Sequence, residues 1–319
     1  MNKKIVVIGG GTGLFTLLTG LKNYTDNITA VVTMFDSGGS SGILRAELGV
    51  LPPGDIRRCL IALADSQNMY KLFEYRFNRG KFNGHSFGNL LLTALTDISK
   101  GDMAKAVEEF GKILAIRGDV LPITLNKTAL CAQLKNNQII IGEAAINGYD
   151  IHAHEEIIKR SRPPIRRIFL KSKAKPFNKV LKAIKEADII VLGPGSLYTS
   201  IIPNLLVQGI PESIAKSKAK KVYVCNIMTQ AWETEGYSAS KHVEELEKYL
   251  GKKVLDYIVV NKGNAPKKLL SKYKKKRAEL VRPDVKKIKI PIKTANLVRL
   301  SSLVRHNPKK LAELIIKIK

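Results

Sequence analysis

Cysteine, aromatic residues and long apolar runs are scarce in this chain, and each shortage excludes a class of protein. The 319 residues include three cysteines and 6% aromatic residues. Cys59, Cys131 and Cys225 are far apart and form no C-x-x-C pair, so neither a disulfide framework nor a zinc knuckle is indicated. Each lies among apolar residues, which is typical of a small buried thiol. No apolar run reaches membrane-spanning length and no charged-then-apolar leader opens the chain, so we expect a cytoplasmic protein without a membrane span.

Acidic residues are also few, with 27 Asp and Glu against 54 Lys and Arg and a formal net charge of +27. Such a field favours anionic partners, which include nucleotides, nucleic acids and anionic lipids. The positive excess is concentrated in residues 160–175 and 267–293. Tyr273 is the only aromatic residue next to the lysine run of the second stretch, whereas nucleic-acid binding favours aromatic side chains interleaved with cations. We therefore interpret both stretches as solvated faces and expect no specific nucleic-acid binding.

Glycine, in contrast, is concentrated in turns next to apolar runs. The first turn, Gly9–Gly13, follows the β-branched run Ile5–Ile8 and precedes Leu14–Leu21, which has the apolar content of a helix. This order predicts a buried parallel strand, a glycine turn and a helix, an arrangement in which backbone N–H groups converge on an anion. Leu14 stands where the dinucleotide fingerprint G-x-G-x-x-G needs its last glycine, and no Gly-Lys-Ser/Thr follows for a P-loop. The turn therefore predicts a nucleotide or phosphate site and disfavours an NAD-dependent oxidoreductase.

Two further turns follow within the first 65 residues. The second, DSGGSSG at residues 36–42, begins with Asp36 at the end of a predicted strand. A carboxylate at this position commonly bonds a ribose hydroxyl, and its alternative role is that of a loop or cap aspartate. The third, PPGD, ends with Asp55 just before a predicted helix, where capping and ligand binding are both open. Arg57 and Arg58 lie in the first turn of that helix, where a cation is unfavourable unless an anion such as phosphate compensates it.

Later turns also lie at strand ends or helix starts. Ser86 and Asn89 stand at the start of an apolar helix, where they can bond a ligand or cap the helix. A glycine turn, GPGS at residues 193–196, follows a predicted strand, and Asn226 ends another. Arg305 precedes a predicted helix cap, and its planar guanidinium suits a diphosphate.

The alternation of strands and helices predicts an α/β fold, namely a Rossmann-like doubly wound, mostly parallel sheet in a single nucleotide-binding domain over residues 1–319. Residues 118–175 change character to short strand-like runs, and we predict a small β-rich insertion there. In doubly wound sheets, ligands bind beyond the carboxyl ends of the strands at the switch in strand order, so the turns are expected to share one crevice. The predicted nucleotide contacts are Gly10, Gly11, Thr12, Gly13, Asp36, Gly38, Gly39, Ser40, Ser41, Arg57, Ser86, Asn89, Gly193, Gly195, Ser196, Asn226, Thr229, Gln230, Arg305 and His306.

Six strings carry a resemblance to a known family. They are GGGTGL, DSGGSSGILRAELGVLPPGDIRRCLIALAD, GHSFGNLLLTALT, VLGPGSLYTSIIPNLLV, VYVCNIMTQ and LVRHNP. In order and spacing they resemble the YvcK-type family of gluconeogenesis factors, within the CofD-like superfamily named for 2-phospho-L-lactate transferase. One residue departs from the pattern, because the family usually has two aspartates before GGSSG and Ser37 takes the second place.

The resemblance implies a Rossmann-like fold that binds a nucleotide or nucleotide sugar, with UDP-N-acetylglucosamine as the ligand most associated with the family. It also implies a cytoplasmic role in central carbon metabolism and in cell shape or wall synthesis. Superfamily relatives transfer a phospholactyl group from a guanosine diphosphate carrier to a deazaflavin alcohol.

Two functions follow from the residues and the resemblance together. The first, which we favour, is a regulatory protein that binds a nucleotide sugar, with the diphosphate on the turns at 9–13 and 193–196, the ribose near Asp36 and Arg305 as a clamp. The second is a phospholactyl-type transferase with Asp36 and Asp55 as catalytic residues, in which Mg²⁺ on Asp36 or Asp55 would polarise the diphosphate. The missing second aspartate favours binding without turnover. We expect no resident metal or cofactor for the first function, and a homo-oligomer for either.

Overall fold

Seven parallel strands form the central sheet of the protein. The structure, a computed structural model, describes residues 3–65, 67–150, 155–156, 162–301 and 303–318. Its strands are β1 (Ile5–Gly9), β2 (Ile28–Val32), β3 (Asp119–Pro122), β4 (Leu130–Leu134), β5 (Ile139–Ile141), β6 (Tyr149–Asp150), β7 (Glu155–Glu156), β8 (Ile165–Leu170), β9 (Ile189–Leu192), β10 (Lys220–Val224), β11 (Tyr257–Asn261), β12 (Ile292–Ala295), β13 (Val298–Leu300) and β14 (Val304–His306).

Helices connect and cover these strands. They are α1 (Gly11–Leu21), α2 (Gly39–Leu48), α3 (Gly54–Leu63), α4 (Gln67–Glu74), α5 (Phe87–Ile98), α6 (Met103–Ile113), α7 (Glu143–Ile146), α8 (Asn178–Glu186), α9 (Ile202–Leu205), α10 (Ile210–Lys216), α11 (Ala239–Leu250), α12 (Lys267–Lys275) and α13 (Pro308–Ile316). In the part of the chain that the structure describes, none of them is long and apolar enough to cross a membrane.

The central sheet has a doubly wound order. Its strands lie as β12-β11-β10-β9-β1-β2-β3, and each neighbouring pair is parallel. The chain leaves β1 toward β2 and β3 on one side, and it returns to the other side of β1 at β9. The order therefore switches between β1 and β9, which is the position where such sheets bind ligands. The predicted α/β, Rossmann-like, mostly parallel fold is confirmed.

Burial explains why these segments form strands and helices. Ile5–Ile8 in β1 and Ile189–Leu192 in β9 are almost fully buried, as expected for parallel strands that are covered on both faces. In α1, four buried leucines recur at i, i+3, i+4 and i+7 and so form one apolar face. They are Leu14, Leu17, Leu18 and Leu21. This helix packs against α3 and α13. Its contact with α13 brings the first and last helices of the chain together.

The β-rich part of the chain forms its own antiparallel sheet, with the strand order β5-β4-β8. Between β5 and β8 in the sequence, β6 and β7 pair as a short antiparallel ribbon. All these strands lie within the range 118–175, but β3, which opens that range, belongs to the central sheet. A Cβ at Gly118 would lie 3.2 Å from the carbonyl carbon of Ile28, so glycine permits the close approach that pairs β3 with β2. Residues 151–154 and 157–161 of the range lie outside the described residues.

Close contact between α1 and α13 gives a test of packing. A Cβ at Gly20 would lie 2.7 Å from the carbonyl carbon of Pro308 and 3.0 Å from Cβ of Ala312. We expect Gly20→Ala to lower the free energy of unfolding by about 1–3 kcal/mol, because backbone atoms cannot move aside as a side chain can. Urea denaturation measures this change.

Gly111→Ala in α6 is the matched control, because its new Cβ meets mainly the flexible end of Ile116 at 3.1 Å. Alanine also has a helix propensity about 1 kcal/mol better than glycine, so this variant should be close to the unmodified protein in stability. Equal stabilities of the two variants would contradict the packing argument.

Candidate functional site

A cavity of about 660 Å³ lies at the switch in strand order. It is formed by the turn between β1 and α1, the turn after β9, and the amino-terminal parts of α2, α3 and α5. Many predicted contacts line it, which shows that turns far apart in sequence meet at one place. These are Gly10, Gly11, Thr12, Gly13, Asp36, Gly38, Gly39, Ser40, Ser41, Asp55, Arg57, Asn89, Gly195, Ser196, Asn226, Gln230, Arg305 and His306.

Glycine at two positions lets the turns approach each other. A Cβ at Gly13 would lie 2.6 Å from the carbonyl carbon of Pro194 and 2.9 Å from the nitrogen of Gly195. A Cβ at Gly10 would lie 2.5 Å from a carboxylate oxygen of Asp55. Any side chain at either position would therefore separate elements that form the cavity.

Three helices begin at the cavity, and protein side chains already bond some of their free N–H groups. The N–H of Gly11, at the start of α1, donates to the carboxylate of Asp55. The N–H of Gly54, at the start of α3, donates to Ser41 Oγ at 3.1 Å. Before α2, the N–H of Gly38 donates to Asp36 Oδ1 at 2.9 Å. The partial positive charges of three helix ends thus converge on one space and favour negative groups there.

Carboxyl groups give the cavity an acidic side that the sequence only partly predicted. Burial, and then the neighbouring Asp36, raise the pKa of Asp55 to about 7, against an opposing effect of Arg58. Burial, followed by Asp36 and Asp55, also raises the pKa of Glu143 well above its usual range. Glu143 lines the cavity from α7, inside the β-rich region, where no motif in the sequence marks it. With its pKa of about 7, Asp55 can therefore both donate and accept a proton near neutral pH.

Among the described residues, no group of three or more His, Cys, Asp and Glu side chains is placed to hold a metal ion. Asp36 and Asp55 are close enough for their charges to interact, and carboxylate oxygens are the ligands that Mg²⁺ takes in proteins, often one or two together with phosphate oxygens and water. The donor set present is thus one that could share a magnesium ion with a bound diphosphate.

Glu233 is a buried carboxylate behind the turn after β9, and no motif in the sequence marks it. It accepts a hydrogen bond from Ser196 Oγ at 2.7 Å and one from the N–H of Tyr198 at 3.2 Å. Thr199 Oγ1 lies 3.1 Å from the same carboxylate. Burial raises the pKa of Glu233. Because Ser196 Oγ donates a hydrogen bond to Glu233 and accepts one from Thr199 Oγ1, one lone pair of Ser196 remains for the cavity. That lone pair suits a hydroxyl donor better than a phosphate oxygen.

The cationic side of the cavity is carried by arginines. Arg58 Nη1 donates to Thr12 Oγ1 at 2.9 Å, and Arg76 and Arg305 line the cavity as exposed side chains. Arg57, a predicted contact, is buried and bonded to the Phe73 carbonyl at 3.2 Å. It also pairs with Glu74 at 3.3 Å.

Glu74 therefore compensates the unfavourable position of Arg57 at the start of α3, a role that the sequence had suggested for a phosphate. Arg58, whose guanidinium reaches the first glycine turn, was not among the predicted contacts.

Three predicted contacts lie behind the cavity wall. Ser86 caps α5, accepting from the N–H of Asn89 at 3.3 Å. Gly193 continues the sheet through its N–H, which donates to the Ile8 carbonyl at 2.9 Å. Thr229 Oγ1 accepts from the N–H of Glu279 at 2.9 Å and so holds a distant segment. A residue that lines the cavity and one that lies behind its wall can have the same local sequence pattern. Only the packing of the chain distinguishes them.

Several cavity residues carry a buried polar atom without a hydrogen-bond partner among the described residues. These atoms are Thr33 Oγ1, Asn89 Oδ1, Gln230 Oε1 and His306 Nε2. Burial lowers the pKa of His306 to about 4, despite a hydrogen bond to the backbone of Cys225, so this imidazole is neutral near pH 7. Unpaired buried polar atoms are uncommon in folded proteins and often mark the place of a ligand or ordered water.

A phosphate-favouring cavity at the switch point of a doubly wound sheet is typical of a nucleotide-binding α/β protein. The family model described as 2-phospho-L-lactate transferase CofD matches residues 5–298, and the chain belongs to this family.

Comparison with individual proteins shows which members of this family the chain is similar to. The chain is 49% identical over 320 residues to a "Putative gluconeogenesis factor" of Thermoanaerobacterium thermosulfurigenes, covering 98% of this chain and 96% of the relative. It is 42% identical over 320 residues to the "Gluconeogenesis factor" of Bacillus subtilis, covering 98% and 97%. The crystal structure of a UPF0052 family protein of Bacillus halodurans is 41% identical and superposes with a TM-score of 0.91, covering 99% of both chains. The predicted membership among gluconeogenesis factors is confirmed.

The raised pKa of Asp55 predicts how the free energy of unfolding changes with pH. Its folded value of about 7 lies above the ordinary 3.8, so between these values the folded state keeps a proton that the unfolded state loses. The contribution of Asp55 to stability is therefore full below the ordinary value and is lost as the pH rises through the folded value. Asp55→Asn cannot titrate, and its free energy of unfolding should fall less from about pH 5 to about pH 8 than that of the unmodified protein. Urea denaturation at both pH values measures the difference, and equal falls would contradict the assignment.

Proposed function

We propose that this protein binds a nucleotide sugar of the UDP-N-acetylglucosamine type and acts as a regulator linked to central carbon metabolism and to cell shape or wall synthesis. One observation carries the proposal, namely that a single cavity holds helix amino ends and arginines together with oxygen acceptors. The helix ends and Arg58 and Arg305 suit a diphosphate. The carboxyl groups of Asp36 and Glu143 and the lone pair of Ser196 suit the hydroxyl groups of sugars.

Cavity size supports the same class of ligand. A volume of about 660 Å³ lies within the range of about 300–1,000 Å³ found for small-molecule sites. The link to carbon metabolism is supported by the relatives named as gluconeogenesis factors. The part of the proposal that concerns the sugar and the base rests on the family resemblance.

A regulatory role without turnover is supported by Ser37. This residue stands where the family usually has a second aspartate, and its Oγ accepts a hydrogen bond from the N–H of Ala144 at 3.0 Å. Ser37 thereby holds the start of α7, the helix that carries Glu143 into the cavity. At this position the chain has a neutral positioning group instead of a carboxylate that could hold a metal or move a proton.

A phospholactyl-type transferase is the second candidate, and the pair of Asp36 and Asp55 favours it. Their mutual repulsion contributes to the raised pKa of Asp55, and a shared cation would relieve it. Asp36 and Asp55 would be the residues to hold Mg²⁺, which when bound would polarise a diphosphate. The helix amino ends and arginines would hold the diphosphate in place during transfer.

Calorimetric titration separates the two candidates. The ligands are UDP-N-acetylglucosamine, UDP, GDP and NADPH, each with and without magnesium. Uracil-selective binding without product would support the regulatory protein. Guanine-selective binding strengthened by magnesium, together with metal-dependent release of nucleoside monophosphate, would support the transferase. Absence of that release at high protein concentration would rule the transferase out.

Arg305 provides a specific test of the binding site. We expect Arg305→Ala to weaken affinity for UDP-N-acetylglucosamine by about 1–3 kcal/mol, as for a lost charged hydrogen bond. Arg299→Ala is the matched control. Arg299 is exposed and stands directly across the β13–β14 ribbon from Arg305, but it does not line the cavity. Calorimetry on both variants measures the effect. Unchanged affinity in Arg305→Ala, or an equal loss in Arg299→Ala, would remove Arg305 from the site.

A further inference from the structure

Helix α2 offers the cavity an amino end that no side chain caps. The helix has ten residues, and its N-cap residue, Gly38, makes no side-chain cap bond in the described structure. The N–H groups of Gly39, Ser40 and Ser41 lie in its first turn, where no preceding carbonyl of the helix can accept from them. All three residues line the cavity. A set of unpaired N–H groups at a positive helix end is suited to a phosphate.

In each of the two turns that the sequence predicted for the diphosphate, one N–H group is already bonded by a protein oxygen, whereas at α2 the bonded N–H group, that of Gly38, lies before the helix. At the start of α1, the N–H of Gly11 donates to Asp55, so a carboxyl group already lies where an anion would bind. In the turn after β9, the N–H of Gly195 donates to Asn226 Oδ1 at 3.2 Å. A phosphate at either turn would compete with a protein oxygen for the same donor.

A buried hydrogen-bond network reinforces the amino end of α2. Ser40 Oγ lies 3.0 Å from His85 Nδ1 and 3.0 Å from Asn89 Nδ2. Ser40 is 5%, His85 8% and Asn89 3% exposed. Ser40 and Asn89 line the cavity, whereas His85 stands behind them. His85 can therefore act on a ligand only through Ser40.

The tautomer of His85 decides what Ser40 presents to the cavity. A hydroxyl group has one proton and two lone pairs, and an amide nitrogen only donates. Asn89 Nδ2 therefore occupies one lone pair of Ser40. When His85 carries a proton on Nδ1, it occupies the other, and the Ser40 proton has only the cavity left to point into. That form adds the hydroxyl to the N–H groups of α2 as one more donor toward the same anion.

We propose that the amino end of α2 is the phosphate subsite of the cavity, with Ser40 as its hydroxyl donor and His85 as the residue that positions Ser40. For the identity of the ligand this inference rests on the proposed function, since the subsite itself selects a phosphate group. Asn89 gives independent support, because its buried Oδ1 has no partner among the described residues. That atom can accept from a hydroxyl or amide N–H of the sugar bonded to the phosphate.

Charged groups around the subsite are balanced. Asp36 bonds the N–H of Gly38, one residue before α2, and Glu143 faces the same turn, with an oxygen 3.9 Å from where a Cβ of Gly38 would lie. Arg58 and Arg76 line the same cavity. A phosphate would therefore be held by the arginines and the α2 donors together. Removal of one of these donors should weaken the affinity for phosphate measurably.

Ser40→Ala and Ser196→Ala are a matched pair of tests, since both serines line the cavity beside glycine turns. Calorimetry is run with UDP-N-acetylglucosamine, UDP and inorganic pyrophosphate. We expect Ser40→Ala to weaken all three by about tenfold, as for one hydrogen bond to a charged group. The Ser196 hydroxyl donates its hydrogen bond to Glu233, so Ser196→Ala should weaken only UDP-N-acetylglucosamine, the ligand that carries the N-acetylglucosamine group. Equal affinities of Ser40→Ala and the unmodified protein for pyrophosphate and UDP would overturn the subsite.

His85 is tested by coupling to Ser40. His85→Phe removes the Nδ1 donor and should weaken UDP and pyrophosphate to the level of Ser40→Ala, while the double variant should be no weaker than Ser40→Ala alone. His85→Asn keeps an N–H donor near the Nδ1 position and should restore most of the affinity. Additive losses, or no rescue by asparagine, would show that His85 acts only through general stability.

The two proposals fail in different ways. If the protein binds pyrophosphate with the expected loss in Ser40→Ala but discriminates no nucleotide sugar, the proposed function fails and the subsite stands. If nucleotide sugar binds tightly and Ser40→Ala is without effect on it, the proposed function stands and the subsite is wrong. If neither nucleotide nor pyrophosphate binds, both are wrong.

Discussion

The cavity depends on partly buried carboxyl groups that lie among helix amino ends. Asp55 accepts from the N–H of Gly11 and lies against Gly10, where a Cβ would overlap it. Removing a carboxylate from water costs several kcal/mol, and the positive helix ends together with Arg58 offset part of that cost. The pKa of about 7 for Asp55 reflects the part of that cost that is not offset, together with the repulsion from Asp36. The turns at this site must therefore be glycine-rich, since only glycine brings the N–H groups close enough to the carboxyl group.

This constraint gives the cavity two chemically different sides. Arginines and unpaired N–H groups favour phosphate, whereas carboxyl groups and the lone pair of Ser196 favour hydroxyl groups. A molecule that joins a diphosphate to a sugar satisfies both sides at once, and inorganic phosphate or a free sugar satisfies one. Ser37 contributes by holding the start of α7 through the N–H of Ala144, so the position of a family carboxylate is used here to place Glu143.

Sequence reasoning located the turns correctly but assigned individual hydrogen bonds less well. The conformational needs of glycine and the alternation of apolar runs are local, so the strand–turn–helix units and the doubly wound order could be predicted. Hydrogen-bond partners are not local. Ser196 donates a hydrogen bond to Glu233, 37 residues away, and the charge of Arg57 is compensated by Glu74 in another helix. Ser86 and Asn89 both stand at the start of an apolar helix. Ser86 caps that helix, whereas Asn89 lines the cavity.

The sequence by itself determined the fold class, the family and the edge of the sheet where a ligand site would form, because each depends on short apolar runs, glycine turns and their order along the chain. Only the tertiary structure decided which donors at that edge remain free. It brings Glu143 from the β-rich region and Glu233 from a distant loop to the cavity wall, and it leaves the amino end of α2 uncapped while Asp55 occupies that of α1. The physical reason is that a polar group's partner is set by distances of about 3 Å between atoms, and such distances between remote residues arise only when the core packs.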